Sequence, residues 1–130
     1  MKKALDIAAI VLTALLLLVL SIQSVRGLID PRWASARFGA PVSDVAGVLF
    51  YRVYLSRNLV LAMSGAVFLL TRQWKPLAIL LTVTAALPMF DMSVLSLDGI
   101  TPPVLHPLAL VLLGIAAVLL WRRVAYPVVT

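Results

Sequence analysis

Six residues carry the chemical potential of this chain: Arg52, Tyr54, Arg57 and Asn58, crowded into one apolar stretch, and Asp91 and His106, each set apart in a later one. The stretch from Gly47 to Leu70 is long enough to cross a bilayer, which takes about 20 residues at about 1.5 Å each. A guanidinium deep in hydrocarbon costs roughly 2.5 to 3.5 kcal/mol on insertion scales, so such residues are expected to face a bundle interior and pair there. Asp91 and His106 are the chief partners the sequence supplies.

Arg52 and Arg57 are five positions apart and diverge by about 140° around a helix, so they cannot both face one partner squarely. Tyr54 lies three and four positions before Arg57 and Asn58, which lets those side chains share a face. The expected central pair is Arg57 with Asp91, with Arg52 either joining it or snorkelling to headgroups. Such a pair can simply fix helix register. Alternatively, two arginines against one carboxylate leave a local charge of about +1 that would hold an anionic or carbonyl oxygen, with His106 transferring protons at the mouth. His106, beside two prolines, also reads as an interfacial residue or a cap.

The elements that must position these residues are membrane spans. Hydrophobic residues make up 63% of the 130, against about 45–50% in a soluble domain. At this length there is room for one domain of spans and short connections, and none for a separate soluble catalytic domain. The net charge of +6 does not point to nucleic acid, because the basic residues sit at span ends and not on one polar face. Lipid headgroups are the expected counter-charge. With no cysteine there is no disulfide, thiolate metal site, iron–sulfur cluster or cysteine nucleophile, and the single histidine rules out bis-histidine haem ligation within one chain. No cofactor and no metal is expected.

The fold expected is an all-α, four-helix transmembrane bundle with a short interfacial helix between spans 1 and 2. The spans are read at about 4–22, 45–71, 76–97 and 104–121, all in a single domain over 1–130. The first resembles a signal peptide in its Met1-Lys2-Lys3 start. Its apolar run exceeds the 7 to 15 or so residues of a cleavable segment and lacks a small-residue exit, so it reads as an uncleaved span. Asp30 as N-cap, Pro31 at the first helical position and Gly39 just past the end spell a short helix from Pro31 to Phe38. Its Arg32, Trp33, Arg37 and Phe38 suit the headgroup layer. Ser43 or Asp44 can cap the second span. Pro88 interrupts the third and frees a backbone carbonyl near Thr84, three residues before Asp91. Ala62, Gly65 and Ala66 allow close helix packing, and Ser56, Ser64, Thr82 and Thr84 are expected to bond back to their own helices. Met89 and Met92 could line a pocket near Asp91 or serve as filler.

Lys2, Lys3, Arg72, Lys75, Arg122 and Arg123 fall on one side of a four-span chain, and Arg26, Arg32 and Arg37 on the other. Six against three places both termini in the cytoplasm, in what reads as a bacterial inner membrane. Arg57 then lies about 15 Å below the outer end of its span and Asp91 about 9 Å from the exit of its own, so the polar residues share the outer half of the bundle.

Asp30-Pro31, Phe38-Gly39, Arg57-Asn58-Leu59, Asp91 and His106 together resemble the domain-of-unknown-function family numbered 4267 and, more loosely, the DoxX-like small four-helix membrane proteins. The resemblance spans nearly the whole chain and implies fold and topology, with no established activity. The family's pattern looks like Arg-Asp where this chain has Arg57-Asn58, so an adjacent carboxylate is missing here. Three functions are open: a site that binds or transforms a hydrophobic small molecule (a lipid, a quinone or an isoprenoid-like compound), an accessory subunit of a homo-oligomer or larger membrane complex, and a small proton-coupled transporter using Asp91. The last is disfavoured if Asp91 faces an arginine, because it would then stay ionised instead of cycling.

Overall fold

The computed structural model describes residues 2–126; Met1 and the last four residues, including the Thr130 that the charge count assigns to the cytoplasm, lie outside the described residues. Among the described residues every regular element is helical: α1 (Lys2–Ile29), α2 (Pro31–Phe38), α3 (Val45–Leu70), α4 (Trp74–Thr84), α5 (Ala86–Leu97) and α6 (Leu105–Ala125). Four stretches are long and apolar enough to cross a membrane, with α4 and α5 together forming the third. The distribution of side chains agrees. Along α1 the inward positions are Ala9, Thr13, Leu17 and Ser24, whereas Leu15, Leu18 and Ile22 on the outside are each more than half exposed. A helix with small and hydroxyl residues inside and large aliphatics outside is built for lipid, where close backbone approach drives association.

The spans sit in a ring. α1 packs between α3 and α6, α6 packs on both α4 and α5, and α4 closes the ring onto α3. At the end that holds the chain termini the ring is shut. Ala9, Leu77, Ala78, Leu81, Ala116, Ala117 and Leu120 form a buried core there. At Gly65 a Cβ would fall 2.5 Å from Leu17 Cδ2, so its hydrogen is what lets α3 approach α1. Arg123 on α6 reaches Asp6 on α1 at 3.7 Å and stacks over Trp74 on α4 at 4.1 Å. Beside it Trp121 Nε1 donates to Thr82 Oγ1 at 2.9 Å. Trp74 and Trp121 therefore both fasten α6 to α4 at this end.

The other end is built differently. No Cα of α3 comes within 8 Å of one in α5. The separation begins where Pro88, lacking an N–H, interrupts the third span between Thr84 and Ala86.

Two ends differ from the sequence reading: α1 continues to Ile29 and does not stop near 22, and α6 continues to Ala125 and does not stop near 121. Ser24 does not end α1 because it is buried in the bundle, while Gln23 stands exposed at the cavity's edge. Gly27 packs so closely that a Cβ would meet Leu55 Cδ1 at 2.7 Å and Ala34 Cβ at 3.0 Å. The helix ends at Asp30, held out of the α region by the proline that follows (φ −125°, ψ 82°). Asp30 then caps α2 by accepting from the Trp33 N–H at 3.0 Å, and Gly39 closes it at φ +102°. Buried Ser35 fixes the loop beyond: its hydroxyl accepts from the Val42 N–H and donates to the Arg32 carbonyl, each at 3.0 Å.

Candidate functional site

A cavity of about 370 Å³ lies in the α2 end of the bundle, walled by all six helices. Its floor, towards the packed core, is leucine: Leu16, Leu61, Leu81, Leu112 and Leu113. Its polar residues gather at the other end. Tyr51, Tyr54 and Asn58 come from α3, Asp91 from α5, His106 from α6, and Arg37 from α2. The lining face of α3 is Tyr51, Tyr54, Leu55, Asn58 and Leu61, spaced as one side of a helix must be.

Helix α2 roofs this end. Phe38 sits among three rings, with centroids 4.9 Å from His106, 5.8 Å from Tyr54 and 6.3 Å from Tyr51, all edge-on, the arrangement favoured by ring quadrupoles. Gly39 then passes so close to the α5–α6 turn that a Cβ would lie 3.0 Å from Pro103 Cδ. The roof therefore spans from α1, where Ala34 meets Gly27, to the start of α6. Its outer surface carries Trp33 between two guanidinium groups, Arg26 at 4.0 Å and Arg37 at 5.0 Å from the ring centroid. The cavity's α3 and α5 walls share no backbone contact.

His106 is buried, and its Nδ1 lies 3.3 Å from the Pro103 carbonyl oxygen. A carbonyl can only accept, so this contact calls for a proton on Nδ1. Ser24, 1% exposed, lines the cavity with a hydroxyl that has no hydrogen-bond partner.

The structure brings together four of the six residues singled out from the sequence, Tyr54, Asn58, Asp91 and His106, and leaves Arg52 and Arg57 outside. The expected Arg57–Asp91 pair does not form: among the described residues the one ion pair is Arg123–Asp6. Adjacent residues on a helix diverge by about 100°, so Asn58, sharing the face of Tyr51 and Tyr54, takes the inward place and turns Arg57 out. Arg57 lies beyond Leu61 in a shallow groove with Ser56 and Val60, and both arginines are exposed on the protein surface. Phe38, Tyr51, Ser24 and Arg37 were not singled out as site residues. Tyr51 carried a signal, standing three positions before Tyr54 on the same face, whereas the place of Phe38 depends on where α2 folds back.

Comparison with protein-family models, with curated proteins and with solved structures finds no match to this chain.

Proposed function

We propose that the protein holds one hydrophobic small molecule of lipid, quinone or isoprenoid-like dimensions within its bundle, with the polar end of the ligand at Asp91, His106, Tyr54 and Asn58 and its apolar part along the leucine floor. The observation that carries this is the cavity itself. Its volume of about 370 Å³ lies within the roughly 300–1,000 Å³ of small-molecule sites, and it pairs a large apolar surface with a few convergent polar groups. Access is from lipid between α3 and α5, because α2 covers the end nearest water. The six-to-three distribution of basic residues supports placing that end outside and both termini in the cytoplasm of a bacterial inner membrane. The resemblance to the DoxX-like proteins supports the topology alone.

Two observations support further readings. Asp91 has no ion-pair partner among the described residues, which removes the objection to its cycling in proton-coupled transport. Arg57, exposed on the lipid-facing side of a span, is where a second copy or a subunit of a larger complex would find a partner, since a guanidinium in hydrocarbon calls for one.

The test is to purify the protein in mild detergent beside Ala109→Trp, which places a large ring at the cavity wall, and to identify co-purifying molecules by mass spectrometry. A single hydrophobic species retained at about one per chain and lost in the variant is expected. A stoichiometric partner protein with no small molecule would replace this reading with that of an accessory subunit.

A further inference from the structure

We propose that the ligand class is a single-chain amphiphile with a cationic head, an ammonium or quaternary ammonium group, bound against Asp91 within the aromatic cluster of Phe38, Tyr51 and Tyr54. The inference rests on the cavity reading above and names what that cavity selects.

The titratable and charged groups that line the cavity are Arg37 from α2, Tyr51 and Tyr54 from α3, Asp91 from α5 and His106 from α6, while α1 and α4 contribute none. Arg37 is exposed, and its guanidinium lies over Trp33 on the outer surface of the roof. Arg52 and Arg57, which would have made the site a receptor for anionic or carbonyl oxygen, face away. No arginine, lysine or histidine nitrogen lies within 4.0 Å of the Asp91 carboxylate among the described residues. A carboxylate in a low-dielectric wall without a partner is costly, and the group that relieves it best is a cation.

The neighbouring groups favour the same head. His106 is oriented by the contact of its Nδ1 with the Pro103 carbonyl at 3.3 Å. The faces of phenylalanine and tyrosine carry the negative side of the ring quadrupole and attract alkylammonium groups, and Phe38, Tyr51 and Tyr54 all reach the cavity at its Asp91 end. Size sets the rest. The leucine floor suits one chain, because about 370 Å³ is near the lower limit of ligand sites. A carboxylate or phosphate head would meet the Asp91 carboxylate, and Arg37, the one arginine in the lining, is engaged over Trp33.

The experiment titrates the full-length protein in zwitterionic nanodiscs by calorimetry with decyltrimethylammonium, decanol and decanoate. Saturable binding is expected, tightest for decyltrimethylammonium. Asp91→Asn weakens that probe about tenfold or more and alters decanol far less, Asp91→Glu retains it, and Ala109→Phe weakens all three. Tighter binding of decanoate, or affinity of Asp91→Asn for decyltrimethylammonium within about twofold of the unmodified chain, overturns the cationic head while the loss in Ala109→Phe keeps the cavity reading in place. If no probe binds saturably, or Ala109→Phe alters none of them, the cavity reading fails and this inference fails with it. Should Asp91→Asn not fold, competition on the unmodified chain decides: displacement of bound decyltrimethylammonium by equal or lower concentrations of decanoate overturns the proposal.

Discussion

The Phe38 ring stands edge-on to the His106 ring at 4.9 Å and 72°, so the last residue of the short α2 helix is seated on the first turn of the final span. This contact joins the roof to the part of the bundle farthest from it in sequence, and it covers the polar end of the cavity. Phe38→Ala removes three ring contacts at once. An edge-on aromatic pair adds about 0.5–1.5 kcal/mol beyond the area it buries, and the half-buried side chain contributes more through burial. Loss of about 2 kcal/mol of stability is expected, with a lower Tm in detergent. The chain has no cysteine, which permits a direct reading of the roof: a single Ser24→Cys should label slowly with a membrane-impermeant maleimide and distinctly faster when combined with Phe38→Ala. Equal rates would show that α2 does not shield the cavity.

Gly39 and Gly99 form an internal comparison. Both have positive φ, +102° and +72°, where any side chain is strained. At Gly39 a Cβ would also press on Pro103, whereas at Gly99 it would meet nothing within 4 Å. Gly99→Ala should therefore cost only the conformational strain, about 1–2 kcal/mol. Gly39→Ala should cost more and should raise Ser24→Cys labelling as well, because the clash lifts the end of the roof. Equal Tm losses for the two variants would mean that the Gly39–Pro103 approach carries no weight.

How far the sequence revealed this arrangement differs from element to element. The α2 helix was legible to the residue, because Asp30, Pro31 and Gly39 act through local chemistry that no tertiary contact had to supply. The spans were legible from apolar length, apart from the ends of α1 and α6: buried Ser24 does not stop α1, and Trp121, Arg122 and Arg123 do not stop α6, which runs to Ala125. The site was legible only in part. Tyr54, Asn58, Asp91 and His106 line one cavity, yet intramembrane charge alone cannot say which of the adjacent Arg57 and Asn58 faces in. That choice depends on which face of α3 packs on α1, set by Leu55 against Gly27 and Gly65 against Leu17; the small residue Gly65 marks a packing face, but no residue type names the face it meets.

The ion pair that does form lies at the opposite end. Arg123 and Asp6 are separated by 3.7 Å with side chains 20% and 16% exposed, and the guanidinium also covers Trp74. Removing either partner leaves the other charge half-buried. A fully buried pair loses about 3–5 kcal/mol in that case, and partial exposure here lowers the expectation to about 1–3 kcal/mol. Asp6→Asn and Arg123→Met should each lower the Tm, and the double variant should lose less than their sum. Arg123→Met should be the more damaging of the two, since it also removes the contact over Trp74. Strict additivity would show that the pair is not coupled.

Arg57 and Asp91 should behave in the opposite way. If they were partners, either single substitution would strand a charge and the double would recover most of the loss. In the structure they share no contact: Asp91 lines the cavity and Arg57 lies outside it, beyond Leu61, on helices whose backbones stay more than 8 Å apart. Residues without shared partners have effects that add within about 0.3–0.5 kcal/mol. Arg57→Met, Asp91→Leu and the double variant, compared by thermal unfolding in one detergent, should therefore show no rescue. The signs of the single effects carry further information. Asp91→Leu removes an unpaired carboxylate from an apolar wall and is expected to raise the Tm of the empty protein while abolishing stabilisation by decyltrimethylammonium. Arg57→Met is expected to leave that stabilisation intact, because the guanidinium does not reach the cavity. Recovery in the double variant would instead require the two side chains to meet, and α3 would then have to be turned about its axis so that Arg57 and not Asn58 faces the interior.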